Sequence, residues 1–138
     1  MIVVDGTDMI MGRMASQISK KLIEGEEVHL VNAENIVLVG NPKQIVERYK
    51  QKRRLINKAN PEHSPMWSKV PYLLVKRMIR GMLPRKKMKG RDALRKLRVY
   101  NGNPKNLEVN FKPEKASFDG ISKHITVVEL CKNLGYSG

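Results

Sequence analysis

Lysine and arginine recur through the middle of this 138-residue chain in separate short groups. Lys50, Lys52, Arg53 and Arg54 form one group, and Lys76, Arg77 and Arg80 a second. Arg85, Lys86, Lys87 and Lys89 form a third and Arg91, Arg95 and Arg98 a fourth, with Lys58 and Lys69 between the first two. The chemistry open to such groups is phosphate binding. An arginine fork chelates two phosphate oxygens, and a lysine supplies a point charge. Residues 43–105 hold 20 Lys and Arg against three acids, Glu47, Glu62 and Asp92, a local charge of +17; the other 75 residues carry −3. Solvated faces mix both signs. This one does not, and self-repulsion of that size weakens a fold unless a polyanion answers it. These sixteen side chains are therefore the candidate nucleic-acid contacts. Aromatic residues make up only 5% of the chain, too few for the base-stacking platform of a single-strand reader. Duplex or tertiary-folded RNA, recognised by shape and phosphate, fits better. Trp67 is either a stacking partner for a base or ribose or a packing residue beneath its loop, and the sequence leaves both open.

Other candidate chemistry is thin. Gly6 and Gly12 flank a strand-to-helix turn, where nucleotide-binding folds place phosphate. Their spacing matches neither the dinucleotide fingerprint nor a Walker loop, so turn and packing glycines are expected. Asp5 and Asp8 stand close together and can each cap the following helix, with a catalytic carboxylate pair as the alternative. His29, His63 and His124 are scattered singly, without a second ligand at helical spacing, so no metal site is expected. Cys131, the single cysteine, falls on the apolar side of a helix and reads as core; one thiol builds no disulfide framework, which suits a reducing cytoplasm. No apolar run approaches the ~20 residues of a membrane helix. Nor is a secretory leader expected, since the chain opens directly into Met1-Ile2-Val3-Val4-Asp5.

Elements that must position the cations follow from periodicity. Ile2 to Asp5 reads as a strand. Met11, Met14, Ala15, Ile18, Leu22 and Ile23 form one helical stripe over 11–24, closed by Gly25. Val28–Val31 and Ile36–Val39 read as strands separated by only four residues, too few for a parallel crossover, so they are expected to pair antiparallel. The first two strands, joined through the helix, should run parallel. Asn41, Pro42 and Gln44 announce a helix toward Asn57 that buries Ile45, Val46, Tyr49, Leu55 and Ile56. An irregular stretch fills 59–71. Pro71 then opens a helix to Leu83 with Leu74, Val75, Met78, Ile79 and Met82 inward. That pattern also suits a membrane-surface helix, but the neighbouring strands favour a domain helix. A basic segment without an apolar face follows at 85–90, one or two helical turns at 91–96 and an edge strand at 97–100. Thr126 and Glu129 spell a capping box for a last helix ending at Gly135.

Three separated blocks resemble the universal large-subunit ribosomal protein L13 family. The first is Ile79-Arg80-Gly81-Met82-Leu83-Pro84, then Gly90-Arg91, then Leu97-Arg98-Val99-Tyr100-Asn101-Gly102. The second is Met11-Gly12-Arg13-Met14-Ala15-Ser16, and the third Val31-Asn32-Ala33-Glu34 with Val39-Gly40-Asn41. Together they span residues 2–46 and 71–102, and the compact tail resembles archaeal members. The resemblance implies one α/β domain over 1–138, a three-layer α/β/α sandwich around a small four-stranded, mostly parallel sheet. It further implies docking on large-subunit rRNA beside neighbouring large-subunit proteins, a role in assembly, and no catalytic activity, cofactor or small-molecule substrate. By position it assigns RNA contact to Arg80, Arg85, Lys86, Lys87, Lys89, Arg91 and Arg98. Two other readings compete: a nucleotide-dependent enzyme acting on RNA, suggested by the strand–glycine–helix opening, and a DNA-architectural protein.

Overall fold

The apolar stripe of the first helix winds as its spacing requires. In a computed structural model that describes residues 1–137, α1 (Met11–Ile23) buries Met11, Met14, Ala15, Ile18 and Leu22. It stops at Gly25, whose φ of +100° suits a glycine at a helix end. The strands on either side, β1 (Ile2–Asp5) and β2 (Val28–Val31), pair in parallel, Ile2 opposite Val28 and Val4 opposite Leu30.

β3 (Val37–Val39) does not pair with β2, contrary to the expectation of an antiparallel pair. Both edges of β2 are taken. β1 lies along one, and β4 (Leu97–Val99), also parallel, along the other. The four linking residues form a tight turn, with Asn32 at φ +55° and Ala33–Asn35 in a 3-10 helix, that carries the chain out of the sheet. β3 pairs antiparallel with β5 (His124–Thr126), Leu38 opposite Ile125. The α/β sandwich is thus the expected class, with its strands divided as three parallel and two antiparallel instead of four in one sheet.

On one face of the parallel sheet Val4, Val28, Leu30, Leu97 and Val99 join a core shared with α1 and α3 (Pro71–Arg80). α1 also packs against α4 (Met88–Arg95), and α3 against β4 and α5 (Val127–Asn133). α2 (Pro42–Arg54) leans on α5.

Three helix boundaries differ from the periodic reading. In α2, Asn41 caps as expected, its side chain accepting from the Lys43 N–H at 3.1 Å, but the helix ends at Arg54, not near Asn57. Beyond it Asn57 Oδ1 accepts from the N–H groups of Ala59 and Asn60, a local turn that competes with further helix. Leu55 and Ile56 consequently lie 58% and 63% exposed, not inward. α3 ends at Arg80 because the chain tightens there: Met82 N–H donates to Ile79 O and Leu83 N–H to Arg80 O. That rotation buries Leu83 and turns Met82 outward. α4 runs Met88–Arg95 and so starts inside the basic segment read as lacking an apolar face, three residues before the expected turns at 91–96.

The capping box of α5 is present in both directions. Thr126 Oγ1 accepts from the Glu129 N–H, and Glu129 Oε2 from the Thr126 N–H, each at 3.4 Å. Thr126→Ala is expected to cost about 1 kcal/mol, measured as a lower urea midpoint at unchanged m-value. No change in midpoint would show that α5 is held by packing alone.

Candidate nucleic-acid interface

The turn between α3 and α4 positions the densest cations. Gly90 sits in the first turn of α4 directly against the Pro84 carbonyl; a Cβ there would lie 2.1 Å from Pro84 O. The missing side chain lets α4 close on the turn. Lys87 N–H donates to Pro84 O at 3.0 Å, and Arg91 Nε to Arg85 O at 3.2 Å. These bonds fold residues 85–87 into one wall of an open groove of about 790 Å³. Arg80, Arg85, Lys86, Lys87 and Arg91 line it, over a floor of Leu83, Pro84, Gly90 and Leu94, and no carboxylate contributes. α4 begins there with no acid in its first turn and no capping side chain, so its amide dipoles add to the positive field.

A second, smaller recess of about 290 Å³ adjoins the groove through the shared residues Arg80 and Leu94, and adds Lys76 and Arg77. Arg77 stacks on Trp67, its guanidinium carbon 3.9 Å from the ring centroid, and donates to the Met66 carbonyl. Lys52 Nζ lies 4.5 Å from the same ring centroid and 4.7 Å from that of Tyr49. Trp67 is a half-buried packing residue that ties α2 to α3, the packing role that was one of its two readings.

The cations crowd one another. Burial lowers the Lys52 ammonium below its ordinary pKa, and Arg48 and Arg77 beside it act in the same direction. Arg77 is lowered by burial and then by Arg80 and Arg85. Among the described residues, only Arg54 and Arg95 of the sixteen candidates reach a carboxylate, at 3.9 Å from Glu47 and 3.7 Å from Asp92. Both pairs are exposed, where an ion pair contributes ~0–1 kcal/mol. The positive charge stays uncompensated.

The structure does not gather all sixteen. Lys50, Arg53 and Arg54 surround a separate shallow recess at the end of α2, where Arg53 donates to the Leu134 carbonyl at 2.8 Å and so braces α5. Arg98 stands exposed between the inward Leu97 and Val99, on the strand face away from α3. Lys58, Lys69, Lys89 and Arg95 are exposed outside the groove. Arg48, on the same outward face of α2 as Lys52 and beside it, lies outside the sixteen; the apolar floor was not expected, and Gly90 was its only sign.

The other candidates resolve to structure. Gly6 is a packing glycine, since a Cβ would lie 2.8 Å from Ile36, whereas Gly12 faces open space. Neither Asp5 nor Asp8 caps α1, which begins after Ile10 without a side-chain cap. Asp5 instead accepts from Asn32 Nδ2 at 3.0 Å and from the Thr7 N–H at 2.9 Å. Burial opposes its ionisation, but these bonds outweigh it and hold the carboxyl below its usual range. His29 is buried between Glu27 and Tyr100. Burial pushes the Cys131 thiol up to about 11, so it stays protonated and inert at neutral pH. No group of three or more metal-binding side chains occurs, and no helix is long and apolar enough to cross a membrane, among the described residues.

Comparison with known proteins places the chain beside one family. The family model described as ribosomal protein L13 matches residues 1–106. The large ribosomal subunit protein uL13 of Methanocaldococcus jannaschii is 44% identical over 137 residues, covering 98% of both chains. Its counterparts from Haloarcula marismortui and Archaeoglobus fulgidus are 40% and 38% identical over 97% and 99% of this chain, and 90% and 88% of their own.

Proposed function

The chain belongs to the ribosomal protein L13 family, non-enzymatic constituents of the large subunit, and from that premise we propose that its cationic face binds folded large-subunit rRNA and supports subunit assembly. Its place is the cytoplasmic ribosome, with archaeal proteins as its relatives. Membership removes the competing enzyme reading. Ribosomal RNA and ribosomal proteins are the partners the family implies.

One observation carries the RNA reading: five cations from α3, the turn and α4 converge on a groove that no carboxylate enters. Where rRNA segments pack together their phosphates repel, and a fixed array of unpaired cations lowers that repulsion while releasing condensed counterions. The scaffold makes the array fixed. Trp67 with Lys52 and Arg77 locks α2 to α3, and Gly90 locks α4 to the turn. In this reading the RNA-facing part of a single domain is residues 43–105, with Lys76, Arg77, Arg80, Arg85, Lys86, Lys87 and Arg91 at its centre. Lys50, Arg54, Lys58, Lys69, Lys89, Arg95 and Arg98 serve as outlying contacts.

Titrating large-subunit rRNA fragments against the protein at several salt concentrations tests this. With 8–10 phosphates contacted, the log–log slope is expected at about −6 to −9. Duplex DNA should compete poorly at fixed salt. A slope near zero, or equal affinity for duplex DNA, would remove the reading.

A further inference from the structure

We infer that the groove between α3 and α4 receives one unstacked nucleotide of a folded RNA, its base against the apolar floor and its flanking phosphates on the cationic rim. The inference rests on the rRNA-binding reading above and names what that site recognises.

A duplex backbone crossing the rim would engage the cations and leave the recess vacant. A phosphate gains nothing from the hydrocarbon of Leu83, Pro84 and Leu94, and gives up its water to lie there. A base has apolar faces and loses little. The recess is also the right size: about 790 Å³ falls within the roughly 300–1,000 Å³ of small-molecule sites, whereas phosphate binding alone needs no concavity. Charge selects the occupant further. With five cations and no acid on the lining, an anionic chain is favoured and a basic partner protein is repelled. Arg80 and Arg91 flank the floor, and guanidinium planes stack on splayed-out bases where aromatics are lacking.

The groove's backbone is also braced. Close approach at Gly90 and the Arg91 to Arg85 carbonyl bond hold its wall, so little backbone ordering opposes entry. Single bulged nucleotides are the parts of folded RNA that present such a base.

Two RNA hairpins with equal numbers of phosphates make the test. One has a fully paired stem, and the other carries a single bulged 2-aminopurine in that stem. Each is titrated against the full-length protein at one salt concentration, followed by anisotropy and by acrylamide quenching of the 2-aminopurine. The bulged hairpin is expected to bind roughly tenfold more tightly, with its fluorophore shielded from acrylamide. Leu94→Trp, which fills the groove, should cancel that preference, read as the ratio of the two hairpins' affinities for the same variant; its fold is checked by circular dichroism. Equal binding of the two hairpins with an unshielded fluorophore would overturn the nucleotide site and leave rRNA binding standing. A folded Leu94→Trp protein that keeps the preference would overturn it too. Failure of both hairpins and of rRNA fragments to bind would overturn the rRNA reading itself.

Discussion

Changing Arg85, Lys86 and Lys87 together to alanine is expected to weaken rRNA binding roughly 100-fold, three solvent-exposed cation–phosphate contacts at about 1 kcal/mol each. The salt slope should shrink by about 2–3, close to one unit for each phosphate left without its cation. The fold should not notice. All three side chains are exposed, and none makes a hydrogen bond or ion pair among the described residues. Their surroundings are like-charged: Arg77, lowered first by burial, is lowered further by Arg80 and Arg85. Removing Arg85 therefore relieves repulsion, and stability should stay within about 0.5 kcal/mol of the parent or rise slightly. Thermal melts and salt titrations of the same preparations separate the outcomes. A large loss of melting temperature would make these residues structural, and an unchanged slope would place the phosphates elsewhere.

That separation between fold and binding explains which features were legible in the sequence. Local physics was readable. The stripe of α1, its glycine stop, the Asn41 cap and the Thr126–Glu129 box each depend on residues within one or two turns, and all are present. Pairing was not readable. Nothing within Val37–Val39 reveals that both edges of β2 are occupied, because the occupant β4 lies some sixty residues downstream and is joined through α2, α3 and α4. β5 is three residues long, too short for any period to show, and its partner is more remote still, about 85 residues upstream. Leu83 and Met82 exchanged roles for a different reason. A helical period extends faces indefinitely, whereas the chain tightened at Arg80 and rotated the next residues.

For the candidate site, charge was legible and grouping was not. Composition located the cations between residues 43 and 105, yet it could not tell a free guanidinium from one committed elsewhere. Arg53 and Arg77 give hydrogen bonds to the carbonyls of Leu134 and Met66, and Arg77 also stacks on Trp67. Those arginines shape the array as much as they charge it. Strand alternation turned Arg98 away from the α3 face although it belongs to the same sequence block as Arg80 and Arg91. The recess itself depends on the approach of Gly90 to a carbonyl six residues earlier, visible beforehand only as a glycine inside a family-like block.

Gly90→Ala is accordingly expected to damage both stability and binding, though it alters no charge. Two effects oppose each other. Alanine favours helix over glycine by about 1 kcal/mol. Against this, the added methyl carbon would stand 2.1 Å from Pro84 O and 2.5 Å from Pro84 C, both backbone atoms, a separation real Cβ atoms do not show. No rotamer change relieves a clash with backbone, so α4 must retreat from the turn, at a cost of roughly 3 kcal/mol or more. The clash wins by about 2 kcal/mol, read as a melting temperature lower by roughly 5–10 °C. Retreat also moves Arg91 and the 85–87 wall apart, so rRNA affinity should fall while the salt slope, which counts charges, changes little. Gly12→Ala supplies the control. That glycine lies exposed in the first turn of α1 with nothing within 4 Å of its added carbon, so the same substitution should be neutral or stabilise by up to about 1 kcal/mol. If Gly90→Ala proved as harmless as Gly12→Ala, the close approach of α4 to Pro84 could not be what builds the groove.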